Sequence, residues 1–81
     1  MNLRPLTSYE TKIFAFMDAR DYTRAHGERL RKLEADWADV WFSSLDLPIS
    51  NHTTDRLDGI AAEREEVISR AVERYEDWAS D

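Results

Sequence analysis

Glu34, Asp36 and Asp39 crowd around Trp37 in the middle of the chain. Carboxylates this close invite a two-carboxylate hydrolase or a cation site. Acid–base chemistry would need one carboxyl in an apolar pocket and a second kept ionised beside it. Here the acids fall on the polar side of the stripe Leu30, Leu33, Trp37, Val40, Trp41 and Leu45, so they read as solvated surface. The two histidines, His26 and His52, offer little more. Neither has a second histidine or a carboxylate at i±3 or i±4 within a stretch read as helical, so a zinc site would need long-range assembly. His26, next to Gly27, is expected at a helix end, where a partly protonated imidazole complements the dipole. The chain has no EF-hand loop, phosphate-binding glycine loop, nucleophile elbow or HExxH motif. No catalytic residue, metal or cofactor is expected, and the chain is read as non-enzymatic.

Two arginines break the pattern around them. Arg64 sits inside the apolar arc of the C-terminal segment, between Ala61 and Ile68, and Arg20 follows an apolar stripe near the N-terminus. Each could snorkel, packing its stem and wetting its head. Alternatively, Arg64 meets a carboxylate across a helix–helix or subunit interface and sets its register. Aromatics are also in surplus. Trp37, Trp41 and Phe42 crowd one segment, and Tyr75 and Trp78 end another. A chain of 81 residues buries only about 60–65% of its unfolded surface, so hiding three tryptophans is difficult. Interface anchors are enriched in Trp, Tyr and Arg. Trp37, Trp41, Phe42, Arg64 and Trp78 are therefore the expected protein-interaction residues.

The elements that must position these groups are helices. The composition is 42% hydrophobic and 35% charged, with two Gly, two Pro and no Cys. Such a chain is one domain, too apolar for disorder and without disulfide staples. From Leu57, the positions Leu57, Ile60, Ala61, Val67, Ile68, Ala71, Val72, Tyr75 and Trp78 fall in an arc of about 140° at helical pitch. This predicts a helix over about 54–79, capped by Thr53 or Thr54, with Asp55 and Asp58 in its first turn. Pro48 predicts the turn before it. Upstream, the 3-4 spacing from Leu30 to Leu45 predicts a helix over about 28–46. Adding Phe42 widens its arc to about 200°, more than one neighbour covers. Thr7 and Glu10 have capping-box spacing, and Tyr9, Ile13, Phe16 and Met17 form a stripe for a helix over about 8–25. The stripe shifts by about 130° between these two segments, which favours a break near His26-Gly27, with Gly27 as terminator. The alternative is one bent helix from about Ser8 to Asp46. The expected fold is all-α, a helical hairpin or three-helix bundle spanning residues 1–81, as a monomer or a dimer.

Charge limits the partner classes. The net charge is −6, with a basic belt of Arg20, Arg24, Arg29, Arg31 and Lys32 and an acidic remainder. Direct nucleic-acid binding is not expected, because it rests on neutralising many phosphates. Met1 to Leu6 has no apolar run after Arg4, and no stretch approaches ~18 apolar residues, so neither a signal peptide nor a membrane span is expected. A cytoplasmic setting fits. The expectation is a protein partner, a homodimer being the simplest way to cover the excess aromatic surface. The alternative is an acidic mimic of nucleic acid occupying a basic groove. The format of a small acidic helical chain is common among phage and mobile-element accessory proteins that inhibit host machinery, an analogy of size and composition only.

Overall fold

The computed structural model describes residues 3–21, 23–45 and 51–80. Among the described residues the regular structure is all helical: α1 (Ser8–Asp18), α2 (Ala25–Ser43) and α3 (Asn51–Ser80). The start of α1 follows from local chemistry. Thr7 is extended, its hydroxyl accepts from the Glu10 N–H at 3.1 Å, and the Glu10 carboxylate accepts from the Thr7 N–H at 3.0 Å. This is the expected capping box. Arg4 adds a clamp that sequence reasoning missed. Its guanidinium donates to both Glu10 carboxylate oxygens, at 2.8 and 3.0 Å. It also reaches Glu65 of α3, at 2.7 and 2.9 Å.

The Arg4 guanidinium, followed by the Thr7 N–H, holds the Glu10 carboxyl down at about 2 against an ordinary 4.5. The folded form therefore binds this proton less readily than the unfolded chain. Its contribution to stability is complete above about pH 4.5 and is lost as pH falls towards about 2. Acid unfolding followed by circular dichroism should show this loss in the wild type, and Glu10→Gln should flatten it. An unchanged acid limb in the variant would mean that the clamp contributes nothing.

The break between the upstream helices comes earlier than expected. α1 stops at Asp18, with Ala19 as C-cap, so the alternative of one long bent helix is excluded. Thr23, 5% exposed, donates its hydroxyl to the Met17 carbonyl at 3.2 Å and ties up the helix end. Gly27 is not a terminator. It lies within the first turns of α2, and a Cβ there would stand 2.1 Å from Asp18 Oδ1. Its role is close approach of α1 to α2, not a left-handed cap; no glycine has positive φ. His26 accordingly sits at the start of α2 rather than at a C-terminus, where a positive charge would oppose the helix dipole instead of complementing it.

Gly59 differs, having open space around its Cβ position. Gly59→Ala should raise stability by about 1 kcal/mol through helix propensity. Gly27→Ala should give no such gain, because Asp18 must move and its 3.0 Å ion pair with Arg31 is disturbed. Paired urea melts check the contrast, and equal gains would contradict the close-approach role.

α3 is already helical at Asn51, so Thr53 and Thr54 lie inside it and Asp55 and Asp58 stand beyond its first turn. The helices expected over 28–46 and 54–79 are thus shifted, and the expected turn at Pro48 lies outside the described residues. α2 and α3 form an antiparallel hairpin: Leu30 packs with Ile68 and Ala71, while Glu34, one turn further along α2, meets Arg64. The seam has 3-4 spacing on both sides, with Leu30, Leu33, Trp37 and Ser44 facing Leu57, Arg64, Ile68 and Ala71.

α1 lies on one end of this hairpin. Ile13, Phe14 and Met17 complete the core there with Leu30, Ile68 and Ala71. The 11 residues of α1 span roughly 16 Å, whereas the 30 of α3 span roughly 45 Å. The molecule is accordingly elongated, 51 by 19 by 18 Å. The third helix covers only part of the hairpin's length.

Candidate functional site

The α2 surface that receives α1 is identified by its contacts. Just before α2, Thr23 bonds to Met17; within α2, Gly27 abuts Asp18, Leu30 packs with Ile13 and Phe14, and Arg31 pairs with Asp18. Followed along α2 at helical pitch, the row Gly27, Arg31, Glu34, Ala38 and Trp41 stays within about 40° of one direction. Its distal members, Ala38 and Trp41, therefore continue the seat of α1 beyond the point where α1 begins. On α3, Glu65 binds Arg4 and Val72 packs on the core, which marks the corresponding row. One to three turns towards the α3 N-terminus, this row presents Ala61, Asp58 and Thr54. Trp37 and Leu57, 6% and 2% exposed, form the floor between the two rows.

The result is an open groove with an apolar wall on α2 and a mixed wall, Ala61 with Asp58 and Thr54, on α3. Trp41 is half-buried and stacks on Trp37, with ring centres 5.7 Å apart and planes 16° from parallel. Phe42 and Leu45, expected as part of an apolar stripe, are 66% and 59% exposed. No helix covers them because α1 is too short. Leu45, Ala38, Ala61 and Asp58 were not singled out in the sequence as site residues. The wide apolar arc of α2 was the one signal that could have found them.

Arg64 is 2% exposed and directs Nε and Nη2 to the same oxygen of Glu34, at 3.1 and 2.9 Å. The carboxylate it meets is thus on the neighbouring helix of its own chain. Glu34, read from sequence as solvated surface, is instead partly withdrawn, its side chain 37% exposed. Asp36 pairs with Lys32 at 3.4 Å, whereas Asp39 stands without an ion pair among the described residues. The Glu34–Asp36–Asp39 group therefore does not converge on one point. Asp39, Asp55 and Asp58 all lie on the distal half, where Arg56 is the only cation between residues 51 and 63.

Trp78, 52% exposed, does not join the other tryptophans. It lies at the opposite end, with Phe16 4.6 Å and Tyr75 6.2 Å away between ring centres. The Arg20 guanidinium lies 3.5 Å from the centre of the Phe16 ring and 5.5 Å from that of Trp78. It also donates to the Phe16 carbonyl at 3.3 Å, so Arg20 stacks on aromatic faces rather than simply snorkelling. A shallow cavity of about 220 Å³ beside this cluster is lined by Phe16, Met17, Thr23, Arg74, Tyr75, Asp77 and Trp78.

His52, expected outside the helix, is helical and has Asp55 three residues on. Even so, no group of three His, Cys, Asp or Glu among the described residues is placed to hold a metal ion. No helix among the described residues is long and apolar enough to cross a membrane. No family model, curated protein or solved structure matches the chain.

Proposed function

We propose that the chain is a non-enzymatic protein-binding module, an adaptor, assembly factor or stoichiometric inhibitor, whose contact surface is the distal half of the α2–α3 hairpin. The observation that carries this reading is the exposure of Phe42 and Leu45 beside the Trp37–Trp41 stack, on the stretch of hairpin that α1 does not reach. Large apolar groups beside a half-buried tryptophan are the material of interface hot spots. Trp41 and Phe42 are the anchors, Trp37 supports Trp41 from below, and Arg64 holds the two helices in register. Trp78 belongs to a separate cluster and has no part in this surface.

The acidic-mimic reading has less support. Glu10 and Glu65 are held by Arg4, Glu34 by Arg64, Glu63 by Arg29, Glu66 by Arg70 and Asp18 by Arg31. Much of the acidic charge is thereby neutralised within the chain. The test is affinity capture with wild type, Trp41→Ala and Trp78→Ala, each checked for helicity by circular dichroism. Trp41→Ala should weaken the partner at least tenfold, about 1.4 kcal/mol or more, and Trp78→Ala should not. Equal retention by all three would remove the distal face from consideration.

A further inference from the structure

We infer that the occupant of the distal groove is a basic amphipathic helix of another protein, about three turns long, lying end to end with α1. The inference rests on the protein-binding reading above and names the partner of that surface. Three observations converge on it. The first is shape. α1 demonstrates what this seat accepts, since its Ile13, Phe14 and Met17 fill the proximal half between α2 and α3. The same two rows of side chains continue past Thr7 with no third helix on them, ending in Ala38 and Trp41 on one side and Ala61, Asp58 and Thr54 on the other. Small residues on both walls, Ala38 and Ala61, leave room for a helix to approach, and Trp41 supplies apolar contact, with exposed Leu45 just past the end of α2.

The second is charge. Residues 35–45 and 51–63 carry Asp36, Asp39, Asp55, Asp58 and Glu63 against the single cation Arg56. Asp36 and Glu63 are held by Lys32 and Arg29, but Asp39, Asp55 and Asp58 have no ion pair among the described residues. With Asp58 on the α3 row and Asp55 about 60° outside it, the groove carries unneutralised carboxylates on its α3 side, and these select a helix with apolar residues on one face and Lys or Arg along its flanks.

The third weighs against the simplest rival. A second copy docking hairpin to hairpin would bring the same acidic edge against itself, and like charges at an interface are repulsive. Nor does a copy docking end to end offer a free basic helix. In its belt Arg29, Arg31 and Lys32 already pair with Glu63, Asp18 and Asp36.

The experiment titrates the intact chain into two fluorescein-labelled peptides of roughly three to four turns. Both carry Leu and Phe at i, i+3, i+4 and i+7, one with Lys and Arg elsewhere and the other with Glu. Anisotropy is read at low and high salt, and light scattering gives the mass of the chain alone. The basic peptide should bind at least tenfold more tightly than the acidic one, with an advantage that shrinks in high salt. The double charge reversal Asp55→Lys with Asp58→Lys, on exposed sites that need not disturb folding, should erase that preference. Trp41→Ala should weaken both peptides.

Equal binding of both peptides, lost in Trp41→Ala, would overturn the basic partner while leaving the protein-binding surface standing. A salt-resistant dimer broken by Trp41→Ala, with neither peptide bound, would overturn it in favour of a second copy. Binding of neither peptide by a chain that stays monomeric would overturn both the inference and the reading beneath it.

Discussion

Glu34→Ala is expected to destabilise the fold by about 2–4 kcal/mol, more than any other change to a charged residue here. The reason lies in how unequally the pair is buried. Arg64 is 2% exposed, while the Glu34 side chain remains 37% exposed. Without Glu34, the guanidinium stays in the hairpin seam with its Nε and Nη2 donors unsatisfied and its charge uncompensated. The other partner can adapt: if Arg64 is lost, Glu34 turns to water. Arg64→Met, which keeps length and apolar bulk, is therefore expected to fall within about 1 kcal/mol of wild type. Glu34→Gln keeps an acceptor and should lie between the two. Urea unfolding followed by tryptophan fluorescence measures all three. Should Arg64→Met prove as costly as Glu34→Ala, the ion pair itself, rather than the stranded cation, would be what stabilises the seam. A chain of this size has a total stability of roughly 4–12 kcal/mol, so Glu34→Ala consumes a large part of it.

Ile13→Ala should have an effect of similar or greater size, about 2–5 kcal/mol. Ile13 is fully buried where α1 meets both other helices, and truncating it leaves a cavity that neighbours on three helices cannot easily close. Its consequence reaches beyond stability. α1 is short and attached mainly through Ile13, Phe14 and Met17, together with the Arg4 clamp to Glu65. Weakening it should loosen α1 before the hairpin unfolds, and so lengthen the uncovered groove. Hydrogen exchange should then rise first in residues 8–18, with α2 and α3 still protected, and binding of an apolar dye should increase. If exchange rises uniformly along the chain, α1 and the hairpin form one cooperative unit and the groove cannot be extended in this way.

Helix content was legible in the sequence because 3-4 apolar spacing and a capping box are local signals. The Thr7–Glu10 box forms as read, since its geometry involves only neighbouring residues. The boundaries were less legible. Gly27 reads as a terminator by residue type, yet it lies in α2, because the constraint on it comes from Asp18 on another helix. Thr53 and Thr54 read as caps, yet α3 is helical before them. Local propensity ranks such residues, and packing decides among them.

The candidate site divides the same way. That α2 has more apolar arc than one neighbour can cover is a property of its own spacing, and the sequence determined it, along with the acidic character of the residues around Pro48 and the absence of cysteine. Which tryptophans share a surface is not such a property. Only the tertiary structure sets Trp37 and Trp41 on the uncovered half and Trp78 at the far end, beside Phe16 and Arg20. Only it gives Arg64 to Glu34 instead of to water or a second chain. The physical reason is reach. Helical periodicity fixes the direction a side chain takes from its own axis, whereas burial depends on how far each neighbouring helix extends. Here the 11-residue α1 stops short along a hairpin whose longer arm has 30 residues.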